Sequence, residues 1–261
     1  STGRTQRTLT VAGSPTMGNA DGPCDADSPN KATTLDGSTQ GADAGVIAGI
    51  APAMEATGFW AFGWIRGSST AARRGLYAVF NGGSDTAEAN GIEVVANQSV
   101  FGNYSAGAFG INVRDNVAGL GITNFTPSGG AFVSDDIWHV IYVYVNGSEA
   151  TDAERVVVEI DGVPQSLGAF AFGGWAGART FAAATTGKLW IGAMGIGSTG
   201  VLNGFQLAPF ACGSGKPTTA QKRSVIGAGT YTVDTLPGVR NHWKCNVGTG
   251  GAADEGSVST W

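Results

Sequence analysis

Few side chains in this sequence combine reactive chemistry with a spacing that would let them act together. Glu159 and Asp161 lie two residues apart in a segment of alternating polar and apolar residues, so they share one face of a predicted strand. Two carboxylates flanking a glycosidic bond are what glycosidases use. However, no third acidic residue follows in the strand, and Gly162-Val163-Pro164 turns the chain at once. We interpret the pair as a solvated strand face that ends in an Asp-Gly turn.

The two histidines do not form a convincing nucleophile and base pair. His139 lies in a run of bulky apolar residues, which predicts a structural histidine rather than a general base. His242 precedes Cys245 by three residues, and this spacing along a strand puts the two side chains on opposite faces. The sequence therefore predicts no catalytic residue.

No cofactor or resident metal is predicted either. Gly195-Ile196-Gly197-Ser198-Thr199-Gly200 matches the dinucleotide-binding pattern, which also requires a helix opening on the loop and an acidic residue about 20 positions later. Neither is present, and Pro209 with its turn-rich surroundings excludes a βαβ unit. Calcium held by Asp85 or Asp115 would suit a carbohydrate-binding module, but no clustered Asp/Asn run supports it.

Tryptophans are the residues most suited to binding, since an indole face matches the C–H face of a sugar. Four of the seven belong to predicted strands and are expected in the core: Trp60, Trp64, Trp138 and Trp190. Trp175 lies in a glycine-flanked loop where burial is hard to arrange, and Trp261 is the last residue. These two are the predicted binding residues, with local packing as the alternative for each.

Composition excludes several classes of partner. Only 13% of the residues are charged, so Ser, Thr, Asn, Gln and Gly must cover the surface. A net charge of −5 argues against binding nucleic acid or an anionic membrane. No apolar run approaches the ~20 residues of a membrane helix, so membrane insertion is not predicted. The chain as given also lacks the charged and apolar segments of a signal peptide.

Cysteines and glycosylation sequons point to different compartments. Three cysteines at wide spacings, Cys24, Cys212 and Cys245, predict mostly reduced thiols, although one bridge among them remains open. Four Asn-x-Ser/Thr sequons favour secretion instead, but chance explains most of them in a chain this rich in Ser and Thr. They begin at Asn97, Asn103, Asn124 and Asn146.

The elements that must position these residues are strands. Val156, Val158 and Ile160 alternate with polar residues, which predicts a half-buried strand. From Trp138 to Val145 both faces are apolar, which predicts a central strand covered on both sides, by the opposing sheet and by a loop or a neighbouring subunit. Helix signals are scarce, the best being 217–226 with a threonine cap. Many strands with almost no helix predict a β-sandwich or a β-barrel.

Four segments in order resemble the laminin-G-like, concanavalin-A-like jelly rolls. Lys31 to Ser38 is similar to their opening strand, and Phe59 to Arg66 to their aromatic second strand. The Trp138-His139 strand, with its partner ending in Asp161-Gly162, resembles their central hairpin, and Leu189 to Phe205 their closing strands. Two departures are a longer hairpin loop and Gln206-Leu207 where the family has an acidic pair. The resemblance implies an all-β fold, an antiparallel two-sheet β-sandwich of the concanavalin-A-like jelly-roll type.

The resemblance covers residues 31–226. Residues 1–30 and 227–261 are predicted to be terminal arms with strand-like pieces at 8–12, 230–233 and 242–246. Such pieces can pair with a sheet edge of their own or a neighbouring subunit. We therefore expect a homo-oligomer, or a subunit of a larger shell, in which at least one arm crosses to a neighbour.

Three functions fit this interpretation of the sequence. The first is a non-enzymatic structural or adhesion protein of a phage virion, a capsid decoration or tail-associated component whose partners are other virion or surface proteins. This interpretation depends on fold-level analogy. The second is a secreted carbohydrate-binding, lectin-like module with glycan partners. The third is a glycan hydrolase or lyase of the same fold, which we rank last.

Overall fold

The structure of the chain is a computed structural model. It describes residues 10–12, 20–21, 23, 31–36, 41–46, 56–67, 74–80, 91–96, 109–115, 121–127, 135–170, 188–192, 203–227, 236 and 238–243. The strands of this part of the chain are β1 (Thr10–Ala12), β2 (Ala20–Asp21), β3 (Lys31–Asp36), β4 (Gly41–Val46), β5 (Phe59–Arg66), β6 (Arg74–Phe80), β7 (Gly91–Ala96), β8 (Phe109–Asp115), β9 (Gly121–Pro127), β10 (His139–Val145), β11 (Val156–Ile160), β12 (Val163–Pro164), β13 (Leu167–Phe170), β14 (Lys188–Ile191), β15 (Asn203–Ser214) and β16 (Val239–Trp243). The described helices are α1 (Asp152–Arg155) and α2 (Thr219–Gly227).

The strands form two antiparallel sheets. The first has the order β1-β4-β14-β6-β7-β8-β9-β13. The second has the order β12-β11-β10-β5-β15-β3-β2, and β16 pairs with β15. The predicted all-β, two-sheet jelly roll is therefore confirmed. Consecutive strands β14 and β15 lie in different sheets, whereas a βαβ unit places its two strands parallel in one sheet, so the dinucleotide reading of Gly195 to Gly200 fails on topology.

Strands β5 and β10 occupy the middle of the second sheet, and both faces of β10 are buried. One face of this pair carries Trp60, Phe62, Val140, Tyr142 and Tyr144 in a single cluster. The cluster is closed by Val225 of α2, by Leu236 and by Ala211 of β15. The second cover of β10 is thus a helix together with Leu236 of the same chain, where the sequence had suggested a loop or a neighbouring subunit. We call this helix-covered face the outer face of the second sheet.

The opposite face of the second sheet is equally apolar. Phe59, Val143, Val145 and Cys212 are each 0% exposed and alternate with the outer-face residues along their strands. In a sandwich this inner face packs toward the other sheet, where Val94 and Leu189 are also 0% exposed. The alternation read from the sequence thus separates two different apolar environments.

Helix α2 begins with a reciprocal cap. The Gln221 N–H donates to Thr218 Oγ1 at 3.2 Å, and the Thr218 N–H donates to Gln221 Oε1 at 2.8 Å. This capping box satisfies orphan donors of the first turn and fixes where the helix starts. The threonine cap predicted from the sequence is confirmed. Neither α1 nor α2 is long and apolar enough to cross a membrane, and the described residues contain no other helix that is.

Strand pieces from both predicted arms lie in the sheets of their own chain. β1 pairs with β4, so it takes an edge of the first sheet. β16 pairs with β15 from Phe210 opposite Trp243 to Gly213 opposite Val239, three residues earlier than the predicted strand at 242–246. The piece at 230–233 lies outside the described residues. The division at residues 30 and 227, and the arm that reaches a neighbour, stay predictions.

The close approach of β15 to the Trp60 ring gives a stability test. A Cβ atom at Gly213 would overlap the Trp60 ring and the Gly238 carbonyl oxygen, whereas one at Gly63 would lie 3.3 Å from the Phe210 ring. We expect Gly213→Ala to lower the free energy of unfolding by about 1–3 kcal/mol through overpacking. Gly63→Ala is the matched control, with a smaller loss. Urea unfolding measures both, and equal losses would contradict the packing of Gly213 on Trp60.

Candidate functional site

His139, the first residue of β10, is held between two carboxylates. Its Nδ1 lies 2.7 Å from Asp161 Oδ2 and its Nε2 lies 2.9 Å from Asp135 Oδ1. Asp161 has a left-handed backbone with φ of 54°, and its Oδ1 accepts the Val140 N–H at 2.9 Å. The carboxylate thus holds both the first residue of β10 and the turn that leaves β11. We call His139, Asp135 and Asp161 the histidine clamp.

The clamp fixes the charge of the imidazole. Both ring nitrogens can donate only when the ring is protonated. The hydrogen bond to Asp161, with the bond to Asp135 and the charges of both carboxylates, raises the pKa of His139 to about 9 against the opposing effect of burial. Burial is the largest single effect on Asp135 and acts to raise its pKa, but the hydrogen bonds from His139 and the Ile137 N–H, together with the charge of His139, outweigh it, so the pKa lies below its ordinary value. An imidazole that is cationic and donates both of its N–H groups to carboxylates is a poor general base near neutral pH. This supports the predicted structural role of His139.

Arg66 joins the end of β5 to the segment before β10. Its Nε donates to the Asp136 carbonyl oxygen at 2.9 Å and to Asp136 Oδ1 at 3.2 Å. The Asp136 N–H in turn donates to the Gly67 carbonyl oxygen at 2.9 Å. Since Asp136 has a φ of 64°, this short segment turns sharply and brings its carbonyl and carboxylate toward one guanidinium edge.

The outer face of the second sheet carries a row of half-buried side chains beside the clamp. Gln206 lies opposite Arg66 on β5 and opposite Thr34 on β3. Ala208 lies opposite Trp64, so Trp64 is the next outer-face residue along β5 and a diagonal neighbour of Gln206. Trp64 packs against the buried cluster with only part of its surface. We call Thr34, Gln206, Arg66 and Trp64 the Gln206 row.

Gln206 is the chemically unusual member of the row. Its Oε1 is buried and, among the described residues, is the one buried side-chain oxygen or nitrogen without a hydrogen-bond partner. An unsatisfied buried acceptor costs about 1–3 kcal/mol, so a site normally retains one for a reason. The residue as a whole is half-buried.

The structure corrects the prediction that Glu159 lies on a solvated strand face. Its side chain is 8% exposed and forms an ion pair with Lys222 of α2, whose side chain is 9% exposed. The Lys222 Nζ lies 4.7 Å from the centre of the Tyr142 ring. The prediction of a solvated face is therefore wrong for Glu159, because α2 covers that face. Asp161, in contrast, keeps a 46% exposed side chain.

The long loop after β10 is held by Asn146, one of the sequon asparagines. Asn146 is 6% exposed, and its Nδ2 donates to the Tyr144 hydroxyl at 3.1 Å. Its Oδ1 accepts the Ser148 N–H at 3.0 Å and the Ser148 hydroxyl at 2.8 Å. This buried amide organises the loop, and its burial leaves no room for a glycan on Asn146 in the folded chain.

The binding residues predicted from the sequence are not members of the Gln206 row. Trp175, Trp261 and Asp85 lie outside the described residues, and only the backbone of Asp115 is described, at the end of β8. Within the described part, no group of three His, Cys, Asp or Glu residues is arranged to hold a metal ion. The sequence pattern predicts Trp64 in the core and shows Gln206 only as a departure from the family. This departure was the one signal by which Gln206 could have been identified.

Comparisons with known proteins support the fold. No protein-family model matches the chain, and no curated protein matches it. The binding domain of botulinum neurotoxin DC in complex with SialylT matches with a TM-score of 0.52 and 10% identity, over 86% of this chain and 47% of that chain. The binding domain of botulinum neurotoxin serotype D/C VPI 5993 matches with a TM-score of 0.51 and 10% identity, over 88% and 48%.

A third solved structure is the CBM40 of the Ruminococcus gnavus IT-sialidase bound to alpha2,3 sialyllactose, with a TM-score of 0.44 and 14% identity over 67% of this chain and 88% of that chain. The chain spans about half the length of the neurotoxin binding domains that it matches. At these identities the likeness shows the fold. It confirms the predicted resemblance to the laminin-G-like, concanavalin-A-like jelly rolls.

The clamp predicts an alkaline loss of stability. The pKa of His139 rises from an ordinary value of 6.5 to about 9 on folding, so its contribution is fully present below pH 6.5 and is lost as the pH rises through about 9. We expect the free energy of unfolding to fall over this range, and His139→Gln to flatten that fall. Urea unfolding at several pH values measures it, with His242→Gln as control. An unchanged slope in His139→Gln would rule out the clamp.

The buried ion pair predicts an asymmetric response to mutation. Lys222→Met leaves the Glu159 carboxylate buried without a counter-charge, which should lower the free energy of unfolding by about 3–5 kcal/mol. Glu159→Leu combined with Lys222→Met removes both charges and should recover most of that loss. Denaturant unfolding of the single and double variants decides the point. A single variant within about 1 kcal/mol of the parent protein would show that water reaches the pair.

Proposed function

We propose that the chain is a non-catalytic carbohydrate-binding domain and that the Gln206 row is its glycan-contacting surface. The observation that carries this proposal is the unpartnered Gln206 Oε1 beside the half-buried Trp64 indole. A sugar hydroxyl supplies the donor that Oε1 lacks, and the indole edge contacts the C–H groups of the ring. Sugar sites combine these two features, an aromatic surface and a few fixed polar groups.

The surface composition agrees with this function. With 13% charged residues, much of the surface is covered by hydroxyl, amide and glycine groups that lose water at small cost. The neurotoxin neighbours are named as binding domains, and one is described in complex with SialylT, which supports the same class of function. The comparisons therefore favour the carbohydrate-binding alternative over the virion interpretation.

The catalytic alternative receives no support from the residues that motivated it. Glu159 is bound to Lys222 beneath α2, and Asp161 is bound to His139 and to the Val140 N–H. Neither carboxylate is placed to act on a bound glycan with the other. The phage-virion role, the homo-oligomer and the contacts of Trp175 and Trp261 stay predictions, and glycan binding is compatible with each.

The test is a glycan array carrying neutral, sialylated and uronic-acid-containing oligosaccharides, followed by calorimetric titration of the strongest-binding oligosaccharide. We expect the parent protein to bind and Gln206→Leu to weaken binding about three- to tenfold, the usual value of one hydrogen bond. The free energy of unfolding of Gln206→Leu should stay the same or increase, because the mutation removes an unsatisfied buried oxygen.

Gln165→Leu is the matched control, since Gln165 Nε2 donates to the Val163 carbonyl oxygen at the far edge of the second sheet. This variant should bind like the parent protein. An array without signal would refute the carbohydrate function. If the Gln206→Leu variant binds as tightly as the parent protein, the glycan site does not include Gln206.

A further inference from the structure

Arg66 gives the Gln206 row a second kind of polar group, a guanidinium with one edge in use. Both of its hydrogen bonds within the described residues come from Nε and go to Asp136. They hold the guanidinium plane against the backbone of the segment before β10. The two terminal Nη nitrogens are not used in these bonds, and the side chain is 38% exposed. Arg66 is therefore anchored at Nε while its other edge remains available.

An available Nη edge has a defined chemical preference. The planar guanidinium matches a carboxylate with two parallel N–H···O bonds, a geometry that the single ammonium of lysine cannot offer. Because the Asp136 bonds already restrict the Arg66 side chain, less conformational entropy is lost when a carboxylate binds. The group next to Arg66 across the sheet is Gln206, which binds hydroxyls rather than charges.

The neighbouring carboxylates do not compete equally for this edge. Asp135 and Asp161 are bound to the ring nitrogens of His139 on the other side of the segment. Asp136 is bound at Nε, and its side chain is 61% exposed, so solvent screens much of its charge. A ligand carboxylate at the open Nη edge would share the positive charge of Arg66 with Asp136.

We propose that the Gln206 row selects saccharides that carry a carboxylate, with Arg66 binding the acid group and Gln206 a ring hydroxyl. This inference rests on the proposed carbohydrate-binding function and names its ligand class. A sialic acid and a uronic acid offer the same group, since each combines one carboxylate on a six-membered ring with several hydroxyl groups, most of which lie on the glycerol side chain in a sialic acid. Trp64, one step further along β5, contacts the apolar side of the same sugar.

The experiment compares acidic and neutral members of two matched pairs by calorimetric titration: α2,3-sialyllactose with lactose, and trigalacturonate with galactotriose. We expect the acidic member of at least one pair to bind at least about tenfold more tightly. Arg66→Gln should remove this preference, because it weakens binding of the acidic member much more than binding of the neutral member. The pair that shows the preference identifies the source of the carboxylate.

Asp136→Asn provides a second variant that does not weaken the fold. Asparagine adopts the left-handed backbone of position 136 readily and keeps both acceptor oxygens for Arg66 Nε. Because it removes the competing negative charge, it should tighten binding of the acidic probe about two- to fivefold and leave the neutral probe unchanged. If Arg66→Gln proves too unstable to titrate, the Asp136→Asn titration decides whether Arg66 binds the carboxylate.

The outcomes separate the two proposals. Equal affinities for the acidic and neutral members, both lost in Gln206→Leu, would leave the carbohydrate function standing and overturn the acidic preference. An array signal confined to neutral glycans would overturn it too. An acidic preference that persists in Arg66→Gln, or is unmoved by Asp136→Asn, would exclude Arg66 as its cause. No binding to any glycan would reject both.

Discussion

Burial of the central strand β10 on both faces is the constraint on which the rest of the structure depends. A strand whose two sides are both apolar needs two covers, and one sheet can supply only one. The second cover is α2 with Leu236, which closes over Trp60, Tyr142 and their neighbours. Because α2 lies on the outer face, Glu159 becomes buried and requires the Lys222 counter-charge. A charged pair in this position contributes more to the placement of the helix than to net stability.

The outer face is covered over only part of its length, and this uneven cover creates the proposed binding surface. Near α2 the face is fully buried, whereas toward Arg66 and Gln206 the side chains are half-buried. Half-burial there leaves an indole edge, an amide and a guanidinium side by side on the neighbouring strands β5 and β15. Strand spacing of about 4.8 Å brings groups on neighbouring strands within reach of a single saccharide ring.

The histidine clamp holds this surface at its end. Asp161 ties the turn after β11 to β10, His139 ties that turn to Asp135, and the next residue, Asp136, orients Arg66. A rigid support matters for a weak ligand, because each polar contact gains only about 1 kcal/mol and loses it when the group is mobile. The same residues that close the central hairpin thus hold the charged member of the Gln206 row.

The sequence by itself determined the fold class, the central strands and the start of α2, because these follow from local rules. Alternation along β10 and β11, the Asp161-Gly162 turn and the Thr218 cap each act within a few residues. The predicted strands match the structure within about two residues at β5, β10 and β11, whereas β4, β9 and β13 have weaker alternation and were not predicted. Only the tertiary structure decided which face α2 covers. That choice buried Glu159, left Trp64 half-exposed, and brought Thr34, Gln206 and Arg66 into one row from positions far apart in the chain, a pairing that sequence spacing cannot encode.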